Sequence, residues 1–329
     1  MSDSFLDLVD LASERLGAAV VAANDEFFAA KENLIKAAPP VWREGEYTDR
    51  GKWMDGWETR RRRDLGPDAH DWCLIRLGAR GIARGVDVET AFFTGNHPES
   101  CAIDACDIPG IQAPEALIAA PWRELLPRGS LRGDTHNPFV IDGAAPATHL
   151  RLRIYPDGGV ARLRVHGEVV PDWNRLRRSG DVDLAAVENG GTVVSCSDMF
   201  YGSRHNLIMP GDATHMGDGW ETKRRRGGGH DWTIVRLGTE GTIRRLEIDT
   251  RHFKGNAPGA CSVDAVRLEQ GQLLDAASWH ELLPRTPLQP HARHLFEEEL
   301  RDPGGATHAR LNIFPDGGIA RLRLFGRPR

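Results

Sequence analysis

The residues with the clearest chemical potential lie in one short stretch, where two acids and a tryptophan precede four arginines. Residues 55–63 run Asp-Gly-Trp-Glu-Thr-Arg-Arg-Arg-Arg, and we name them the acid–arginine segment. A guanidinium group matches a carboxylate with two parallel hydrogen bonds, so Arg60 and Arg62 are candidates for holding a small anionic substrate. A carboxylate beside them can transfer protons, and Glu58 is our candidate for that role.

The same segment also has a structural interpretation. Successive side chains of a strand point to opposite faces, so at least half of the arginines are expected to be solvated or paired with acids. A surface or structural role is therefore the alternative for each single arginine. For Glu58 the alternative is a buried ion pair with an arginine.

A histidine and an aspartate stand together before an apolar stretch. His70 and Asp71 follow a loop that contains Gly66, and they precede the segment 72–78. An imidazole and a carboxylate at the start of a strand can act as general base, general acid or metal ligands. The alternative is a structural role, such as capping the loop.

An asparagine follows the next apolar stretch. The segment 93–96 reads Phe-Thr-Gly-Asn. Its glycine is typical of a turn with positive φ, and the Asn96 side chain offers both a donor and an acceptor to a ligand. Two further histidines, His97 and His215, have no counterpart elsewhere in the chain, and we interpret them as surface residues.

The chain is duplicated. The positions of the candidate acids, arginines, histidine and asparagine named above recur about 160 residues later, unlike those of His97 and His215. This interval exceeds the roughly 20–50 residues of solenoid repeats, so each copy is expected to form a whole domain. We predict a first domain over 1–170, a linker over 171–180 and a second domain over 181–329. The second copy supplies Glu221, His230 and Asp231 for proton transfer, and Lys223, Arg225 and Asn256 for substrate binding.

Short apolar runs broken by Gly, Pro, Asn and Asp predict strands and turns throughout both copies. Residues 151–165 alternate apolar and arginine side chains around a Pro-Asp-Gly-Gly turn, which predicts an antiparallel hairpin that recurs at 311–324. Helical periodicity is confined to 6–16 and 113–126. We therefore predict an all-β protein with two tandem β-sandwich domains related by internal duplication.

Composition limits the classes of function. The chain has 329 residues and a net charge of −5, which argues against a dedicated nucleic-acid-binding protein. The N-terminus carries acids, and no stretch reaches the roughly 18 apolar residues of a membrane helix, so we expect a cytoplasmic protein. The five cysteines are expected to be reduced. No motif for a nucleotide or an organic cofactor is present.

In combination, these motifs resemble those of the allantoicase family. The acid–arginine segment, His-Asp-Trp, Phe-x-Gly-Asn, Trp-x-Glu-Leu-Leu-Pro and Pro-Asp-Gly-Gly-x-Ala-Arg-Leu-Arg each occur twice, and together they span nearly the whole chain. The resemblance implies two jelly-roll-like domains related to galactose-binding modules. It also implies a hydrolase of carbon–nitrogen bonds in linear amidines, which converts allantoate to ureidoglycolate and urea in the degradation of purines and allantoin.

This reaction gives the candidate residues definite roles. Arginines would hold the substrate carboxylate, Asn96 or Asn256 a ureido group, and the His-Asp and Glu residues would move protons. A divalent metal ion is left open as a cofactor that generates hydroxide. The pocket is expected either at the loops of one copy or where the two copies face each other.

The sequence also allows a function without catalysis. A tandem β-sandwich protein that binds a ligand or carbohydrate without catalysis is the alternative, and it would release no urea from allantoate. For the enzyme we expect allantoate as the small-molecule partner, a homo-oligomer, and neither nucleic acid nor membrane as a partner.

Overall fold

The chain folds into two compact units, Met1–Val170 and Pro171–Arg329. The computed structural model describes residues 4–64, 66–143, 145–269, 271–301 and 304–329. Both units consist mainly of antiparallel strands joined by loops and short helical turns. Residues 171–180, predicted as a linker, include helical turns at Trp173–Leu176 and Arg177–Ser179.

The first unit is built around one sheet. Its strands are β1 Val9–Asp10, β2 Ala19–Ala23, β3 Tyr47–Thr48, β4 Gly51–Lys52, β5 Trp57–Glu58, β6 Asp71–Glu89, β7 Ser100–Cys106, β8 Arg123–Ser130, β9 Pro138–Val140, β10 Ala147–Tyr155, β11 Gly159–Val160 and β12 Arg162–Val169. Helix α1 covers Pro114–Ile118, and 3-10 turns cover Ser4–Asp7, Glu14–Leu16 and Lys31–Ile35. The main sheet has the order β1-β12-β6-β10-β7-β8, and β2 and β9 also pair with β6.

The second unit repeats this topology. Its strands are β13 Val182–Asp183, β14 Thr192–Cys196, β15 Trp220–Glu221, β16 Asp231–Asp249, β17 Ala260–Val266, β18 His280–Pro287, β19 Arg293–Phe296, β20 Ala306–Phe314, β21 Gly318–Ile319 and β22 Arg321–Pro328. Helical turns cover Val187–Asn189, Arg204–Ile208, Met216–Asp218 and Leu274–Ala276, beside the two in 171–180. The sheet order β13-β22-β16-β20-β17-β18 matches that of the first unit. The predicted duplication of an all-β sandwich domain is confirmed.

The predicted hairpin around the Pro-Asp-Gly-Gly turn is wrong. Strands β10 and β12 do not pair with each other, because β10 pairs with the first part of β6 and β12 with its second part. The turn instead leads into β11, which pairs with β5 in the acid–arginine segment. Alternation of apolar and polar residues identifies a strand and its buried face but leaves its partner open.

Both helical predictions are largely wrong. Residues 6–16 form 3-10 turns around strand β1. This strand extends the sheet by pairing with β12, and the Asp10 carboxylate also accepts a hydrogen bond from the backbone N–H of Val165. In 113–126, helix α1 ends at Ile118 and strand β8 begins at Arg123. No helix in the described ranges is long and apolar enough to cross a membrane.

A buried ion pair anchors the start of the acid–arginine segment to β12. Arg162 is fully buried and donates to the Asp55 carboxylate over 2.8 Å and to the Asp55 carbonyl over 2.9 Å. Arg321 and Asp218 form the same pair in the second unit, at 3.3 Å. The charge of Arg162 is satisfied only while Asp55 stays in place, so the pair fixes where the segment begins.

Replacing Asp55 with Ala should destabilise the first unit strongly, because Arg162 would keep a buried charge without its carboxylate. Breaking a buried pair in this way costs about 3–5 kcal/mol, which denaturant unfolding can measure. Glu46→Ala is the matched control, since it removes an exposed pair with Arg43 that contributes less than about 1 kcal/mol. Equal losses in the two variants would contradict the anchoring role.

Candidate functional site

An open cleft of about 1180 Å³ lies in the first unit, beside the acid–arginine segment. Three stretches line it: residues 58–63, residues 95–97 together with Glu99, and the turn 156–158 between β10 and β11. Phe28 completes the lining. Residues far apart in sequence therefore meet here because β11 pairs with β5.

Side-chain hydrogen bonds hold the acid–arginine segment along the cleft. The Trp57 indole donates to the Asp25 carbonyl over 2.8 Å, and the Asp157 carboxylate of the turn accepts from the Arg62 backbone N–H over 2.7 Å. The Thr59 backbone N–H donates to the carbonyl of Gly158 over 3.1 Å. The segment is thus fixed on both sides before any ligand binds.

Gly158 lets the asparagine loop lie directly against the turn. Its φ of +133° favours glycine, and a Cβ atom at this position would stand only 2.6 Å from the carbonyl oxygen of Asn96. That same oxygen accepts a hydrogen bond from the backbone N–H of Gly159 over 2.8 Å. Glycine is therefore required for Asn96 to reach the acid–arginine segment.

Glu58 and Asn96 form the polar pair of the cleft. The Asn96 amide donates to a carboxylate oxygen of Glu58 over 2.8 Å, and Glu58 is only 9% exposed. Burial raises the pKa of the Glu58 carboxyl above its ordinary value of 4.5, while the hydrogen bond from Asn96 opposes the rise. Glu58 consequently retains a proton to higher pH than a solvated glutamate, as a general acid must.

The arginines divide between two roles. Arg60 donates to Asp25 over 2.7 Å, and Arg62 donates to Asp71 over 2.7 Å, so the two predicted substrate ligands are paired with acids. Arg61 and Arg63 are exposed, line the cleft and have no ion pair or hydrogen bond within the described ranges. Within the described ranges, Arg61 and Arg63 are therefore the cleft arginines without an acid partner, whereas substrate binding by Arg60 and Arg62, which also line the cleft, stays a prediction.

His70 and Asp71 are not among the residues that line the cleft. Asp71 is buried and accepts hydrogen bonds from Arg62 and from the Asn24 amide, both over 2.7 Å. The His70 ring lies 5.3 Å from that of Tyr155, and its Nδ1 lies 2.7 Å from the Asp68 carbonyl. These contacts favour a positioning role, and direct proton transfer by the pair stays a prediction.

The second unit keeps the same framework. Its counterparts make matching contacts: Asn256 to Glu221 at 2.5 Å, Lys223 to Asp198 at 3.7 Å, Arg225 to Asp231, and the ring of His230 to that of Phe314 at 4.7 Å. The predicted residues of this copy are thus arranged like those of the first. A role for them in substrate binding or catalysis stays a prediction.

One histidine of the cleft escaped the sequence analysis. His97 is half-buried and lines the cleft next to Asn96, so its interpretation as a surface residue is wrong. Glu99 lines the cleft as well. Their counterparts are Ala257 and Gly259, and this loss of two ionisable groups between copies was the signal that the sequence offered.

The sequence does not decide whether the protein uses a divalent metal ion as a cofactor. Across the residues that the structure describes, no group of three or more His, Cys, Asp and Glu side chains is arranged to hold one. The cleft acids Glu58 and Glu99 do not form such a group with His97.

Comparisons with known proteins agree on one family. Residues 9–170 and 182–329 both match the family described as the allantoicase repeat. The chain is 50% identical to a probable allantoicase of Pseudomonas paraeruginosa, over 99% of this chain and 97% of that protein. It is 47% identical to one of Photobacterium profundum, over 98% and 97%. The crystal structure of allantoicase from Saccharomyces cerevisiae matches with a TM-score of 0.82 and 35% identity, covering 97% and 92%.

The raised pKa of Glu58 predicts how stability depends on pH. Above pH 4.5 and below the raised value, the folded chain holds a proton that the unfolded chain has lost, so this carboxyl's contribution to the free energy of unfolding falls as pH rises. Glu58→Gln should remove that part of the decline, and Asn96→Ala should enlarge it. Denaturant unfolding at a series of pH values measures both. Identical pH profiles for wild type and Glu58→Gln would contradict the burial of a titrating carboxyl.

Proposed function

Because this chain belongs to the allantoicase family, we propose that it hydrolyses allantoate to ureidoglycolate and urea. The observation that carries this proposal is the cleft of the first unit. It places a buried carboxyl with a raised pKa, Glu58, beside two arginines that have no acid partner among the described residues, Arg61 and Arg63. An anionic substrate with a poor nitrogen leaving group needs both features.

The substrate carboxylate is assigned to Arg61 and Arg63. Both guanidinium groups line the cleft, and neither is engaged with an acid within the described ranges. A guanidinium–carboxylate contact is charge-assisted and directional, so it fixes the substrate as well as binding it. Arg60 and Arg62, held by Asp25 and Asp71, shape the segment from which the other two extend.

The proton for the leaving group is assigned to Glu58. When the bond between the central carbon and one ureido nitrogen breaks, its electron pair moves to that nitrogen, which must take a proton to leave as urea. A carboxyl that burial keeps protonated to higher pH is suited to this transfer. The side-chain N–H of Asn96 orients that carboxyl. The side-chain oxygen of the same amide can accept a hydrogen bond from a ureido N–H group.

Two further expectations from the sequence belong to this proposal. We propose a cytoplasmic location and a homo-oligomer. Size-exclusion chromatography with light scattering measures the second directly. The alternative function, ligand or carbohydrate binding without catalysis, is separated from hydrolysis by urea release from allantoate, assayed with and without a chelator.

Two substitutions in the cleft should affect different kinetic constants. Glu58→Gln should lower kcat for urea release by about 100-fold or more, because general acid catalysis contributes roughly 10²–10⁴-fold. Arg61→Gln should raise KM by about tenfold or more, because it removes a charge-assisted contact to the substrate. Steady-state kinetics of urea production from allantoate measures both constants.

Arg43→Gln serves as the control, since it removes an exposed arginine that is paired with Glu46 outside the cleft. Its kinetics should match those of the wild type. A wild-type protein that binds allantoate but releases no urea would support the binding-only alternative. Full activity in Glu58→Gln would remove this carboxyl from the mechanism.

A further inference from the structure

We propose that hydrolysis takes place in the first repeat only, and that the imidazole of His97 is a catalytic residue there. This inference rests on the proposed function and extends it in two respects. It identifies the base that acts together with Glu58, and it assigns the second repeat a structural role.

The two copies differ at the residues that follow the cleft asparagine. Residues 97–99 are His-Pro-Glu, whereas residues 257–259 are Ala-Pro-Gly. The backbone around them is the same: Gly158 and Gly317 have φ values of +133° and +135°, and the asparagine carbonyl accepts a hydrogen bond at 2.8 Å in one copy and 2.9 Å in the other. The framework is therefore retained in the second copy, while both ionisable side chains of the loop are missing.

The first repeat also provides the space that this imidazole occupies. A Cβ atom on Gly133 would lie 2.5 Å from His97 Nδ1, 2.8 Å from its Cε1 and 2.8 Å from the Phe93 carbonyl oxygen, so a larger residue here would displace the ring or the backbone. The equivalent position in the second repeat holds Pro290. This equivalence follows from the next residue in each copy, because Asp134 accepts from the Phe92 backbone N–H and His291 accepts from that of His252. The first copy thus combines Gly133 with His97, whereas the second combines Pro290 with Ala257.

One ring nitrogen of His97 has no partner among the residues that the structure describes. Its Nδ1 is buried, yet no donor or acceptor of the described residues reaches it. Buried polar side-chain atoms are normally hydrogen-bonded, and an unsatisfied one in a ring that lines a cleft marks a group with a function beyond packing. His97 lines the same cleft as Glu58. It directly follows Asn96 in the chain, and the Asn96 amide donates a hydrogen bond to the Glu58 carboxylate.

The two residues complete a balanced hydrolysis. The oxygen of one water molecule bonds to the central carbon of allantoate and gives its proton to the His97 imidazole. The bond from that carbon to one ureido nitrogen breaks, and the nitrogen takes the electron pair together with the proton of Glu58. His97 then loses a proton to solvent and Glu58 regains one, so one water is consumed and urea is released.

His97→Ala gives the first repeat the residue of the second, and it tests both parts of the proposal. We expect kcat for urea release from allantoate to fall by about 100-fold or more, with KM within about threefold of wild type. Added imidazole should restore part of the rate. Because the second repeat is untouched, the residual activity is an upper limit on what that repeat contributes.

His215→Ala is the matched control, since it removes a histidine that only the second copy carries, next in sequence to Met216, whose sulfur accepts from the Asn256 amide. Its kcat should stay within about twofold of wild type. His97→Gln provides a second variant if the alanine variant fails to fold, as thermal unfolding would reveal. Loss of activity in a folded His97 variant supports the proposal.

Retention of about half or more of wild-type activity in a folded His97 variant would overturn the proposal, since the second repeat or another base would then suffice. An equal loss in His215→Ala would overturn the restriction to the first repeat. Failure of the underlying function looks different, because the wild-type protein itself would then release no urea.

Discussion

The cleft depends on one backbone contact, between the turn that ends β10 and the loop that carries Asn96. Gly158 approaches the Asn96 carbonyl more closely than any side chain would allow, while its own carbonyl accepts the Thr59 N–H. This contact joins three stretches near residues 58, 96 and 158. The pairing of Glu58 with Asn96 and the orientation of the four arginines follow from it.

The duplicated framework explains why so many acids and arginines recur without all being functional. In both copies a buried arginine pairs with the first aspartate of the segment, and the third position of the basic run pairs with the aspartate that follows the histidine. Those pairs hold the segment in place and leave the alternate arginines, Arg61 and Arg63, beside the cleft. Within the described ranges, arginines paired with acids therefore alternate with arginines that have no acid partner.

Much of the fold could be predicted from the sequence, because alternating apolar residues and a repeat of about 160 residues specify strands and a duplicated domain. The hairpin prediction failed because alternation does not select a strand's partner, which here is the central strand β6. The sequence fixes the spacing of alternate arginines but not which set meets the acids, so substrate binding by Arg60 and Arg62 stays a prediction. His97 has alanine as its counterpart in the second copy, so the repeat that marks the shared candidates does not mark this residue.

The most direct test of the account is a crystal structure of the Glu58→Gln variant with allantoate bound. We predict the substrate in the cleft of the first unit, with its carboxylate against Arg61 or Arg63 and a ureido nitrogen within hydrogen-bonding distance of residue 58. Allantoate bound elsewhere on the chain, with these arginines facing only solvent, would contradict the account.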